Sequence, residues 1–136
     1  MVPAALAAAR FIAEKYPEDA LVAVNHAGAL PYALANPVLD MAGLCDRHIA
    51  HEVEGLLHHK FDATYVLSRR PRLVVLNSRI RPGTAGAWYH PGYWSGETAL
   101  VAQSEFQAAY RPVEVFWEWH WQVVADSFIV LFERVL

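Results

Sequence analysis

Short continuous apolar runs alternate with helical patterns along the first half of the chain. The runs at 21–24, 38–44 and 73–76 are typical of strands that helices cover on both faces. A helix is predicted over 4–16, because alanine is frequent there, apolar residues recur on one face, and Pro17 stops the pattern. This alternation predicts a partly parallel sheet with helical crossovers.

Aspartates mark the starts of two further predicted helices. Asp46 is suited to cap a helix over 47–54, and Asp62 is suited to cap a helix over 63–70. Residues 97–109 predict one longer helix with its apolar positions on one side. These segments would supply the connections between strands that a parallel sheet requires.

The last third of the chain changes to a period of two. Apolar and polar residues alternate over 113–121, and a second strand is predicted over 127–136. Trp117, Trp119 and Trp121 form a row that suits a core or an interface. We therefore predict one α/β domain over 1–136: layered, with a mixed, mostly parallel sheet, helical crossovers and a C-terminal antiparallel hairpin.

A long segment at 77–96 is rich in glycine, proline and aromatic residues. It includes Trp88, Tyr89 and Trp94, and connections of this length are often functional. Aromatic faces suit the apolar C–H surface of a sugar ring, and tryptophan and tyrosine also suit a membrane interface. The alternative is that these rings pack on the domain itself as a lid over its core.

Composition narrows the class of protein. The 136 residues carry a formal net charge of −3, with 55% hydrophobic and 18% charged residues, which indicates a globular domain. The one dense basic group, at 69–72, is typical of a solvated helix end, with a phosphate or lipid headgroup contact as the alternative. We expect no nucleic-acid partner. Cys45 is the single cysteine, so an internal disulfide is impossible.

Histidines offer one candidate metal site. His48 and His51 would share a helix face, and His58 follows shortly after. Imidazole is a ligand for zinc, copper and nickel, although the spacing matches no standard ligand pattern. The alternative is a polar surface whose histidines are satisfied by hydrogen bonds.

Two carboxylates offer a candidate acid–base pair. Asp40 and Asp46 follow an apolar run, where a sheet would deliver both of them to one edge. The simpler assignments make Asp46 a helix cap and bind Asp40 to backbone amides. A thiol nucleophile at Cys45, beside His48, has no evident third group, and no cofactor fingerprint is present.

Several blocks in a fixed order resemble a known family. A strand is followed by AGALPY at 27–32, DMAGLCDRHIA at 40–50 and YVLSRRP at 65–71. This order resembles the C-terminal soluble domain of polytopic bacterial glycosyltransferases that use lipid-linked sugars, with the arabinofuranosyltransferase-like members as the nearest group. The resemblance covers about residues 8–77.

The resemblance implies an extracytoplasmic domain attached to the membrane portion of the same protein. It implies that the catalytic residue lies in a membrane-proximal loop outside this sequence. The domain would then position a glycan acceptor or a polyprenyl-phosphate sugar, without catalysis of its own and without a cofactor.

Matching positions give the expected contacts with the sugar. Asp40, Asp46 and Tyr32 come from the matching blocks, with His26 and His51 at the same edge of the sheet. The aromatic residues Trp88, Tyr89 and Trp94 would close over the ligand. The alternative function is a free-standing small α/β metal-binding protein or enzyme that uses the His48, His51 and His58 group.

Overall fold

The computed structural model describes residues 2–25, 28–55, 59–79, 94–120 and 125–136. These ranges contain six helices and five strands. In chain order they are α1 (Val2–Lys15), β1 (Val22–Val24), α2 (Ala29–Ala33), β2 (Val38–Asp40), α3 (Arg47–Glu52), α4 (Ala63–Ser68), β3 (Leu73–Ser78), α5 (Ser95–Val101), α6 (Ser104–Ala109), β4 (Tyr110–His120) and β5 (Ala125–Arg134).

The five strands form one mixed sheet in the order β2-β1-β3-β5-β4. β1 pairs in parallel with β2 on one side and with β3 on the other. β5 pairs antiparallel with both β3 and β4. The predicted α/β class, with helical crossovers and a C-terminal antiparallel hairpin, is confirmed, and its four strand pairings divide evenly between parallel and antiparallel.

Helices cover both faces of this sheet. Ala8 and Ile12 of α1 pack with Val22 on one face, where α2 also lies. Ile49 of α3 packs with Ala23 on the other face, together with α4, α5 and α6. The chain moves one way along the sheet from β1 to β2 and the other way from β2 to β3. Two right-handed crossovers that run in opposite directions along a sheet must lie on its opposite faces, as the β1–β2 and β2–β3 connections do.

β2 ends at Asp40, four residues before the end of its apolar run. The Asp40 side chain is buried, at 4% exposure, and its two oxygens accept hydrogen bonds from Ala42 N (3.0 Å) and Cys45 N (2.7 Å). Gly43 has φ of 79°, a left-handed conformation that favours glycine. The apolar residues after Asp40 therefore belong to a closed turn, which corrects the predicted strand over 38–44.

The predicted helix over 97–109 is wrong as a single element, because the chain breaks between α5 and α6. Gln103 is extended, with φ of −69° and ψ of 130°. Leu100 and Phe106 are both buried in the same cluster, but six residues on one straight helix would place them about 120° apart. The break lets both side chains reach the sheet.

The C-terminal hairpin leaves two tryptophans on its surface. Trp117 is 59% exposed and Trp119 is 52% exposed on β4, an outer strand of the sheet. Their exposure is incompatible with a place in the core, and Trp121 lies outside the described residues. Within the described ranges, no helix combines the length and hydrophobicity needed to cross a bilayer.

Gly43 should tolerate no side chain. A Cβ at this position would lie 2.6 Å from Ile49 Cγ2, and a positive φ strains any L-residue. We expect Gly43→Ala to lower the free energy of unfolding by about 2 to 4 kcal/mol, measured by urea denaturation. Gly28→Ala is the control, because nothing lies within 4 Å of its Cβ, and it should cost about 1 kcal/mol or less. Equal losses for the two variants would contradict this account.

Candidate functional site

A small cleft, whose interior of about 10 Å³ has room for about one water molecule, lies at the carboxyl edge of the parallel strands, on the face covered by α4 and α5. Open α/β sheets bind ligands outside the carboxyl ends of their strands, where the strand order reverses. β1 has its neighbours β2 and β3 on opposite sides, so the reversal falls at this strand. The cleft is lined by Asn25, Met41, Phe61, Asp62, Ala63, Val66, Gly96, Glu97 and Leu100.

With Asn25 and Glu97, Asp62 is one of three polar residues that line this cleft. Its Oδ1 accepts a hydrogen bond from Tyr65 N (2.9 Å) as the cap of α4, and its Oδ2 accepts one from His48 Nε2 (3.0 Å). The hydrogen bond from His48, followed by that from Tyr65 N, lowers the pKa of Asp62. The side chain is 30% exposed, and each oxygen retains acceptor capacity beyond these bonds.

A closed set of contacts fixes Asp62 in place. The rings of His48 and Tyr65 are stacked, with centroids 4.0 Å apart. The Tyr65 hydroxyl donates to Asp46 Oδ2 (3.0 Å), and Asp46 Oδ1 caps α3 by accepting from Ile49 N (3.0 Å). Burial and the Asp46 carboxylate raise the pKa of Tyr65. These contacts hold α3 against α4, so the rim of the cleft is preorganised.

A buried carboxyl group lies deeper in the cleft. Glu97 of α5 is 1% exposed, and its Oε1 accepts hydrogen bonds from Asn77 N (3.0 Å) and Asn77 Nδ2 (2.7 Å). Buried carboxyl groups require such partners, because losing water is costly. The pair ties the first turn of α5 to the carboxyl end of β3.

Phe61 supplies an apolar surface beside Asp62. Its ring is at the cleft and its side chain is 39% exposed. A Cβ added to Gly96 would lie 2.8 Å from Phe61 Cβ, so this close approach requires glycine at the start of α5. The cleft therefore combines an aromatic ring with a carboxylate acceptor at its mouth.

The residues predicted to contact a sugar, where the structure describes them, lie at several separate places, and their roles in binding stay predictions. Asp40 accepts hydrogen bonds from backbone amides of its own turn and Asp46 caps α3, as the simpler of the two sequence interpretations predicted. Tyr32 is 94% exposed on α2, in the layer across the sheet from the cleft, and His51 is exposed near the end of α3. Trp94 is half-buried and directly precedes α5.

None of these five residues lines the cleft. His26, Trp88 and Tyr89 lie outside the described residues, so their predicted roles stay predictions.

The histidine group does not come together as a metal site in the part of the chain that is described. His48 is bound to Asp62, His51 points to no shared ligand set, and His58 falls outside the described ranges. Among the described residues, no three histidine, cysteine, aspartate or glutamate side chains converge. Cys45 is exposed, and its backbone N–H binds Asp40.

Sequence reasoning missed Phe61, Glu97 and the second role of Asp62. Glu97 precedes Leu100 by three residues, so a helical pattern already puts it on the buried face. Asp62 was correctly predicted as a helix cap, but its place at the cleft depends on which strands are neighbours. Phe61 carried no local signal.

The fold and the cleft define a layered α/β domain with a preorganised polar and aromatic site at its carboxyl edge. Residues 2–132 match the family model described as a domain of unknown function, DUF8728, and the chain belongs to this family. No curated protein and no solved structure matches the chain.

The two aspartates of the β2–α3 segment should respond differently to loss of charge. Asp40→Asn keeps one acceptor but turns an amide donor toward a backbone N–H, in a buried site. We expect a loss of about 1 to 3 kcal/mol in the free energy of unfolding, measured in urea. Asp46→Asn is the matched control, since asparagine caps helices as well as aspartate and its amide can donate to the Tyr65 hydroxyl in place of the present bond, and it should cost about 1 kcal/mol or less. A larger loss for Asp46→Asn would refute these assignments.

The Asp62 contacts should make stability depend on acid pH. The pKa of Asp62 is lower in the folded protein than its unfolded value of about 3.9. The stabilisation is therefore complete above about pH 4 to 5 and is lost as the pH falls through the folded pKa. Urea denaturation between pH 7 and pH 3 should show the wild type approaching Asp62→Asn in stability at the acid end. A constant difference across this range would contradict the assignment.

Proposed function

We propose that the surface at the mouth of this cleft, formed by Phe61 and Asp62, binds a carbohydrate. In this proposal the domain holds a glycan acceptor or a lipid-linked sugar for a membrane glycosyltransferase and performs no catalysis itself. It lies on the extracytoplasmic side, joined to the membrane portion of the same protein. The resemblance of residues 8–77 to such transferases supports the setting, and the cleft supports the ligand.

One observation carries the proposal: Phe61 and Asp62 stand side by side at the mouth of the cleft. A sugar presents hydroxyl donors around its edge and apolar C–H groups on its face. Asp62, with unused acceptor capacity, suits the hydroxyls, and hydrogen bonds to a charged acceptor are about twice as strong as neutral ones. The exposed ring of Phe61 suits the C–H face.

The rigid surroundings suit a positioning role. Asp62 is held by Tyr65 N and His48, so little side-chain freedom would be lost when a ligand binds. Holding a sugar in a fixed place converts a diffusional encounter into proximity to a reactive centre elsewhere. That is the contribution an accessory domain would make to a transferase.

Titration of the ¹⁵N-labelled chain with arabinan, mannan and peptidoglycan fragments tests the binding. We expect amide shifts concentrated around Phe61, Asp62 and the first turn of α5. Phe61→Ala should weaken the affinity about tenfold, because it removes the stacking surface. Circular dichroism would confirm that the variant is folded.

Tyr32→Ala is the matched control for this titration. It removes an aromatic ring that is even more exposed, at 94% against 39% for Phe61, from the opposite layer, and it should leave the affinity within about twofold. Loss of binding in Tyr32→Ala alone would move the site to α2, as the sequence blocks suggested. Unchanged spectra with all three classes of glycan would reject carbohydrate binding at this cleft.

A further inference from the structure

Among the described residues, the charged side chains that line the cleft are the carboxylates of Asp62 and Glu97. Asp62 lines the cleft directly, and Asp46 lies in the same network, joined through Tyr65. His48 donates to Asp62 from the α3 side. The Nζ of the nearby Lys60 donates to the carbonyl oxygen of Ala50 (2.6 Å), and Lys60 does not line the cleft. Arg69 also contacts this network, with its Nη1 3.5 Å from the Tyr65 hydroxyl, but it does not line the cleft. Among the described residues, an anionic ligand at the cleft would therefore meet a carboxylate first.

Arginines gather at the opposite end of the strands. Arg72 precedes β3, Arg111 lies at the start of β4, and Arg134 ends β5, which runs antiparallel to both strands. The Tyr110 hydroxyl near these arginines donates to Pro71 O (2.7 Å). Burial raises the pKa of Tyr110 to about 12, and the positive charges of Arg134 and Arg70 oppose this rise. At the carboxyl edge, Arg47 and Arg79 are exposed, and neither lines the cleft.

This distribution of charge distinguishes the two ligands that the proposed function leaves open, a glycan acceptor and a lipid-linked sugar. A glycan acceptor of plain sugars is uncharged, whereas the phosphodiester of a polyprenyl-phosphate sugar carries one negative charge and a phosphate monoester carries about −1.5 to −2. Two like charges about 4 to 6 Å apart at a partly exposed site repel by about 1 to 2 kcal/mol, which is about tenfold in affinity. A hydroxyl donor at the same place gains a charge-assisted hydrogen bond.

We propose that Asp62 is the specificity-determining residue of the cleft, selecting an uncharged saccharide over its phosphorylated counterpart. The cleft is then the acceptor site, and a polyprenyl-phosphate donor is held elsewhere. This inference rests on the proposed function, since it assumes that the cleft binds sugars. It adds that the sugar bound at the cleft is uncharged.

Matched pairs of sugars test the selectivity. Arabinose and arabinose 5-phosphate form one pair, and mannose and mannose 6-phosphate form the other. Affinities come from amide shifts of the full chain at pH 7.5, in 50 mM and in 300 mM NaCl. We expect each phosphate ester to bind about tenfold more weakly than its parent sugar at low salt, with a smaller gap at high salt.

Asp62→Asn is the decisive variant, because asparagine retains the helix cap while removing the charge. It should weaken the parent sugars a few-fold, strengthen the phosphate esters, and so close most of the gap. Equal or tighter binding of the phosphate esters by the wild type would overturn the inference while leaving carbohydrate binding intact. A gap that persists in Asp62→Asn would reject the role of Asp62. If neither member of either pair binds at a sugar concentration of about 50 mM, the inference is overturned, whereas the proposed function is decided by the glycan titration.

Discussion

Parallel pairing of β1 on both of its sides is the constraint on which the rest of the domain depends. Val22, Ala23 and Val24 pair with β2 in one direction and with β3 in the other, and all three are buried. Parallel neighbours cannot be joined by tight turns, so each connection must cross a face of the sheet. Because the two crossovers lie on opposite faces, a crevice forms between the layers at the carboxyl ends of β1, β2 and β3, and the small cleft lies there among the described residues.

Two aspartates at this edge show how burial decides the role of one side-chain type. Asp40 has both oxygens committed to backbone N–H groups of its own turn and is almost fully buried. A ligand could reach it only by breaking those bonds, whose loss in a buried site is costly. Asp62 makes the same number of contacts but remains 30% exposed, so it can accept a further hydrogen bond without losing one.

Local patterns in the sequence were sufficient for most of the fold. The apolar runs placed β1 and β3, and the alternating period placed β4 and β5, because burial on two faces and on one face leaves different patterns. Asp46 and Asp62 were identifiable as caps, since capping depends only on neighbouring residues. The turn after Asp40 was not predictable, because its apolar residues read as a continuation of the strand.

The cleft itself needed information that no local pattern holds. Phe61 and Glu97 are 36 residues apart and meet only because α4 and α5 pack on the same face. The break between α5 and α6 likewise results from tertiary packing, because it lets both Leu100 and Phe106 reach the core. Tertiary packing overrides helix propensity in such cases.

Asp62 contributes both to the stability of the domain and to the polar lining of its cleft. The same carboxylate caps α4, holds α3 through His48, and lines the cleft. A ligand that binds the charged form of Asp62 in the native state must favour that state by mass action. It also favours the ionised carboxylate, so ligand binding and the His48 contact act in the same direction. A site built in this way keeps its geometry without a ligand, which is what a domain needs if its contribution is to hold a sugar in place.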